Sequence, residues 1–194
     1  HEGLFSFGRK VRIELSDMDY KSWREQLAKD SEVLELLTLM VGDITPAHDC
    51  KLQELFKVIK NKMENPINEG NRKIIIFTAF ADTADYLYEN VSRYVKENYG
   101  LDTAIITGNV EGRTTAKLKR TDLNTVLTCF SPISKDKKFL MPDDTNNIDI
   151  LIATDCISEG QNLQDCDYLI NYDIHWNPVR FCAALLASNP MFIF

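Results

Sequence analysis

Asp149-Ile-Leu-Ile-Ala-Thr-Asp-Cys-Ile-Ser-Glu-Gly-Gln-Asn-Leu-Gln-Asp-Cys-Asp-Tyr-Leu-Ile-Asn-Tyr-Asp-Ile-His-Trp-Asn-Pro-Val-Arg180 is the stretch that decides the fold class. An apolar run of Ile148, Ile150, Leu151, Ile152 and Ala153 stops at once in Thr154-Asp155. A second run, Tyr168-Leu169-Ile170, stops in Asn171-Tyr172-Asp173. Short apolar runs that end in polar residues at one edge are the mark of a parallel sheet, whose ligand-binding groups gather at the carboxyl ends of its strands. Trp176-Asn177-Pro178 then predicts a rigid turn into a helix, with Asn177 as the cap and Pro178 at the first helical position.

Working outward, Lys73-Ile-Ile-Ile-Phe77 predicts a buried strand ending in Thr78-Ala-Phe80, and Thr103-Ala-Ile-Ile106 another ending in Thr107-Gly108. Between them Leu87, Val91, Tyr94 and Val95 form one apolar stripe at helical spacing, behind a cap at Asp82 or Thr83. A basic helix is expected over roughly 113–130. Strand and helix alternate, so a mostly parallel sheet with right-handed crossovers is the economical architecture. Upstream, the alternation over 11–15 suggests one strand. Two helices are expected after it, one with Trp23, Leu27, Leu34, Leu37 and Val41 on a face, the other with Leu52, Leu55, Phe56, Ile59 and Met63. Pro66 and Gly70 close the second. The predicted organisation is a strand and helical arm over 1–70 and an α/β domain over 71–194.

Of 194 residues, 44% are hydrophobic and 26% charged, which suits a soluble globular chain. No apolar run is long enough to cross a bilayer, so no membrane is expected. Five cysteines without a C-x-x-C pair argue against a disulfide framework, and a reducing cytoplasm is the expected setting. The three histidines lack ligand-spaced partners, so no metal site is expected in the chain. Net charge is -7, against the positive balance of a dedicated DNA-binding domain. The cations are uneven: Arg113, Lys117, Lys119 and Arg120 sit together, with Lys135, Lys137 and Lys138 soon after. Such a cluster is either a solvated face or a phosphate-contacting one.

The loop 154–162 and the Asp-x-x-Trp-Asn-Pro element at 173–178 closely resemble motif V and the segment after it in superfamily-2 helicases of the Swi/Snf-like branch. Ile74-Ile-Ile-Phe-Thr78-Ala-Phe80 resembles motif IV. The resemblance covers roughly 72–180 and implies a RecA-like three-layer sandwich, the second lobe of an ATP-dependent motor. By it, Thr154 contacts a nucleic-acid phosphate, as do Thr78, Thr107, Gly108 and Arg113 along the strand. Ser158, Glu159, Gly160 and Asn162 face the nucleotide, Asn162 at the ribose, and Asp173, Trp176 and Asn177 form a coupling loop. Thr154, Ser158 and Asn162 also suit turn capping, and Trp176 a plug at the base of the sheet. His175 reads as a loop histidine.

The implied partners are nucleic acid, DNA rather than RNA, and an N-terminal RecA-like lobe of the same parent chain. That lobe would bring ATP and Mg2+, because no Gly-x-x-x-x-Gly-Lys-Ser/Thr phosphate loop occurs in this sequence. The family's Gln-Arg-x-Gly-Arg helix (motif VI) is likewise missing after Arg180, where Phe181-Cys-Ala-Ala-Leu-Leu runs to the apolar ending Met191-Phe-Ile-Phe194. This reads as truncation before motif VI, and the chain alone is expected not to hydrolyse ATP. The competing expectation is a degenerate, non-catalytic nucleic-acid or protein interaction module that keeps the sheet.

Overall fold

The structure, a computed structural model, describes residues 6–7, 13–14, 18–108, 111–157, 161–173 and 191–192. It divides into two compact units, His1–His48 and Asp49–Phe194. In the first, β1 (Ser6–Phe7) pairs antiparallel with β2 (Ile13–Glu14). Helix α1 (Tyr20–Gly42) begins at Asp19, whose carboxylate accepts from the Ser22 amide at 3.2 Å. Trp23, Leu27, Leu34, Leu37 and Val41 are its expected stripe, and all five are exposed.

The second unit starts with α2 (Cys50–Glu64), capped by Asp49, which accepts from the Leu52 amide at 3.0 Å. The sequence reading puts this helix in the arm. It belongs instead to the core of the second unit, because Leu52, Leu55 and Ile59 are fully buried with strand residues Ile74, Ile150 and Ile170. Each such aliphatic side chain contributes about 1.5–3 kcal/mol by leaving water.

The elements that follow are β3 (Ile74–Phe77), α3 (Ala81–Tyr99), β4 (Thr103–Ile106), β5 (Arg113–Thr114), α4 (Leu123–Phe130), α5 (Lys137–Leu140), β6 (Ile150–Ala153), β7 (Leu169–Asn171) and β8 (Met191–Phe192). They form one sheet in the order β5-β4-β6-β3-β7-β8. All pairs are parallel except β4 with β5. The period-2 alternation of a strand divides each one between two cores. Ile74, Ile76, Ile105, Ile150 and Ile152 face α2 and α3, while Ile75, Phe77, Ala104, Leu151 and Ala153 face α4. Helices on both sheet faces make the three-layer α/β sandwich that the resemblance implies, around the mostly parallel sheet that the strand pattern predicts.

The expected basic helix over 113–130 is corrected to an edge strand, an irregular segment and a short helix. Arg113 and Thr114 pair with Ile105 and Ala104. Gly112 donates to the Thr121 carbonyl at 3.0 Å, and a Cβ at Gly112 would stand 2.9 Å from that oxygen. This close approach turns the chain back on itself before a helix can start. Helix α4 begins only at Asp122, which accepts from the Thr125 amide (3.1 Å) and hydroxyl (2.7 Å). Those bonds, the hydroxyl's first, hold the Asp122 carboxyl below its usual range. At the end of α3, Gly100 takes the left-handed conformation (φ 69°) and closes the helix on the Lys96 carbonyl.

Candidate functional site at the carboxyl ends of the strands

Four neighbouring strands, β4, β6, β3 and β7, run parallel and end at one edge of the sheet. Their next residues are Thr107, Thr154, Thr78 and Tyr172-Asp173. With strands about 4.8 Å apart, these polar ends span about 15 Å. The ladder runs one residue past the apolar segments. Thr78 donates its amide to the Ala153 carbonyl at 3.1 Å, Thr154 to Ile106 at 3.3 Å, and Tyr172 to Phe77 at 2.8 Å. The backbone that carries the side chains is therefore fixed by the sheet.

Asp173 is the hub. The Thr78 hydroxyl and the Ala79 amide (3.1 Å) both donate to its Oδ2, while Lys51 Nζ stands 3.5 Å from Oδ1. Lys51, in the first turn of α2, also lies over the Tyr172 ring at 4.4 Å. Asp49 accepts from the Tyr86 hydroxyl at 2.9 Å, so the α2 cap is tied to α3. Burial, helped by the Asp49 bond, pushes the Tyr86 phenol up to about 12. Burial, with Asp49 and Tyr86 beside it, raises Tyr172 as well. Both phenols stay neutral in the physiological range and act as fixed walls. Thr154, almost fully buried, sends its hydroxyl toward Cys156 Sγ at 3.5 Å, and that thiol faces the Ile106 carbonyl at 3.6 Å. The threonine is thus linked to the 3-10 turn Asp155–Ile157 that opens the next loop.

The helicase conserved C-terminal domain family matches residues 50–185. This chain belongs to that family. The chain is also 58% identical over 171 residues to the uncharacterized ATP-dependent helicase YqhH of Bacillus subtilis (strain 168). That alignment covers 88% of this chain and 24% of the relative, so the chain spans about a quarter of its length. Similar solved structures include the C-terminal part of the Fun30 ATPase domain, at 17% identity and TM-score 0.47 over 73% of this chain and 40% of that one. Another is the SWI2/SNF2 ATPase C-terminal domain of Sulfolobus solfataricus, at 16% identity and TM-score 0.46 over 80% and 54%.

Within this helicase C-terminal domain, the expected site residues fall into four sets. Thr78, Thr107, Gly108, Thr154 and Asp173 share the strand-end edge, with Gly108 in the left-handed conformation (φ 49°) that turns the chain out of β4. Arg113 stands opposite Ile105, close to that edge, but it is engaged: its guanidinium pairs with Asp85 of α3 and lies over the Tyr88 ring at 5.1 Å. With both partners 52% exposed, the pair contributes about 0–1 kcal/mol and is readily exchanged. Asn162 is exposed and donates to the Ser134 carbonyl at 3.4 Å, which sets it with the loop after α4. That loop is pinned by Asp165, which accepts from the Ile133 and Ser134 amides at 2.7 and 2.9 Å and from the Ser134 hydroxyl. Burial alone would raise Asp165, but these donors outweigh it and hold the carboxyl below its usual range. Ser158, Glu159, Gly160, Trp176 and Asn177 lie outside the described residues.

Sequence reasoning missed Lys51 and the buried Lys62. Lys62 Nζ donates to Asp167 at 2.6 Å, and Asn68 donates to the other carboxylate oxygen through its amide side chain at 2.8 Å. The apolar stripe Leu52, Leu55, Phe56, Ile59 and Met63 marked the helix but gave no sign of these two lysines. The aspartates they meet are more than a hundred residues away in sequence.

Proposed function

We propose that this chain is the C-terminal motor lobe of an ATP-dependent nucleic-acid helicase or translocase of the Swi/Snf-like branch. Residues 1–48 would lead from an N-terminal RecA-like lobe in a longer cytoplasmic protein, and DNA is favoured over RNA as the track. The observation that carries the reading is the row of Thr107, Thr154, Thr78 and Asp173 on one strand-end edge. Threonine hydroxyls on a fixed backbone suit phosphate oxygens, contacts that position a strand without reading its sequence. The Thr78 and Thr154 amides belong to the sheet ladder and their hydroxyls meet Asp173 and Cys156, so a phosphate at either would displace the hydroxyl's present partner.

Each residue's part follows from its present partners. Thr78 spends its hydroxyl proton on Asp173, and Lys51 offsets the Asp173 charge that would otherwise repel a phosphate. Thr154 joins two events, because its amide is locked to Ile106 while its hydroxyl meets the loop that leads to 158–162. A contact made at Thr154 and a change in that loop therefore move together. ATP with Mg2+, held largely by the N-terminal lobe, would supply the free energy of phosphoanhydride hydrolysis. Asn162 fits a ribose contact in part: it is exposed, and its side-chain oxygen accepts no hydrogen bond among the described residues. Without a phosphate loop in its sequence, the chain by itself is expected to leave ATP intact.

The test is fluorescence anisotropy of labelled single- and double-stranded DNA, and of RNA, with the full chain. The expected result is weak binding, tightest for DNA, that falls steeply between about 50 and 200 mM salt. Binding that ignores salt, or none at the lowest salt, would overturn the reading.

A further inference from the structure

The row of Thr107, Thr154, Thr78 and Asp173 carries one carboxylate and no cation of its own. Binding to a phosphate backbone, however, draws a large share of its affinity from Lys and Arg. The basic run of the chain lies near the start of β6. There Lys117, Lys119 and Arg120 line a pocket with Asp143 and Asp144, and the Asn146 side chain donates to the Lys117 carbonyl at 3.2 Å. Asp144 accepts from Lys137 at 3.3 Å and from the Asn146 amide at 2.7 Å. Arg113, closer to the row, is paired with Asp85. The cation that the fold brings to Asp173 is Lys51, from the first turn of α2.

Lys51 is held in place and yet loosely engaged. Its backbone is fixed from two sides, because Asp49 caps α2 through the Leu52 amide at 3.0 Å and is tied to α3 by the Tyr86 hydroxyl at 2.9 Å. The ammonium stands over the Tyr172 ring at 4.4 Å, an attraction that needs no hydrogen-bond acceptor. Its 3.5 Å separation from Asp173 Oδ1 exceeds the length of a charge-assisted hydrogen bond, about 2.7–2.9 Å. An ammonium has three N–H donors, and a pair this long leaves them open to a closer acceptor. Asp173 does not depend on the lysine alone. Its other oxygen accepts from the Thr78 hydroxyl and from the Ala79 amide at 3.1 Å. With 34% of its side chain exposed, Lys51 is within reach of a ligand lying on the edge.

We propose that Lys51 is a phosphate-contacting residue of the strand-end edge: its ammonium meets a backbone phosphate of the bound nucleic acid while Asp173 holds it from behind. The inference rests on the strand-contacting role proposed above and adds the cation that such an edge needs. Lys51 then acts in two ways. It offsets the Asp173 charge, and it neutralises one phosphate, which releases the counterion condensed there. Such a contact positions the strand and carries no sequence information.

The experiment follows the anisotropy of a fluorescein-labelled single-stranded DNA with the full chain, over about 50–200 mM salt. Lys51→Met should flatten the plot of log affinity against log salt by about 0.7, the share of one phosphate contact on a single strand. Lys51→Arg should keep the wild-type slope. A folding defect would instead lower the active fraction equally at every salt concentration and leave the slope alone. Asp173→Asn separates contact from charge offset, since it removes the carboxylate that Lys51 offsets. In that background Lys51→Met should flatten the slope again. An unchanged slope in Lys51→Met, or a flattening that disappears in the Asp173→Asn background, would overturn the inference and leave the strand-end reading in place. A wild-type chain without salt-dependent binding would overturn the strand-end reading itself, and this inference with it.

Discussion

Helix α2 sends two lysines to two aspartates that bracket β7, and the two pairs are built differently. Lys62 meets Asp167 just before the strand at 2.6 Å, with the lysine side chain wholly buried and Asn68 sharing the carboxylate. Lys51 meets Asp173 just after the strand at 3.5 Å, with its side chain 34% exposed. The first pair is a clamp, since a buried charge must keep its partner or destabilise the fold. The second is loose, shares Asp173 with Thr78 and Ala79, and can exchange for another anion at little cost. One helix thus fixes the start of β7 and leaves its end responsive, and the responsive end is the one on the proposed strand-contacting edge.

The largest effect should follow from breaking the clamp. Lys62→Met leaves Asp167 without its buried cation and should cost about 3 kcal/mol, read as a lower midpoint in urea unfolding. A loss below about 1 kcal/mol would show that Asn68 and water carry the carboxylate, and the contrast between the pairs would fail. Thr78→Val removes the hydroxyl donor to Asp173 and should cost about 1 kcal/mol in the same assay, while lowering DNA affinity more than stability. Lys51→Met should cost no more than about 1 kcal/mol, and it should weaken DNA binding by re-exposing the Asp173 charge. A stability loss as large as that of Lys62→Met would erase the distinction.

Acid should separate the edges more gently. Asp165 and Asp144 have folded pKa values below their usual ones, so the stability they contribute is present above the unfolded value and is lost as pH falls through the folded one. Asp149, raised by burial, acts in the opposite direction, because its protonated form is favoured in the fold. Stability should therefore decline below about pH 4, and Asp165→Asn should flatten that decline. An acid limb identical in the variant would remove Asp165 from this role.

The central strands were legible because buried parallel strands read as unbroken apolar runs, as in Ile74-Ile-Ile-Phe77 and Ile150-Leu-Ile-Ala153. The polar residues that stop those runs mark the candidate edge, and Thr78, Thr154 and Asp173 lie where the runs end. Local pattern failed where distant pairing decides. Thr114 joins an edge strand because Ala104 lies opposite, and a basic stretch with helical composition says nothing of that neighbour. Helix α2 carried a clear apolar face, but only the sheet shows which core receives it. Lys51 and Lys62 were hidden for the same reason, as charges whose partners come from the far end of the chain.

The most direct measurement is an amide chemical-shift titration of the isotope-labelled chain with a short single-stranded DNA. The account predicts the largest shifts at Ala79, Thr107, Gly108, Thr154 and Asp173, all along the strand ends. Shifts confined to Lys117, Lys119, Arg120 and Asn146, with the strand ends silent, would contradict it.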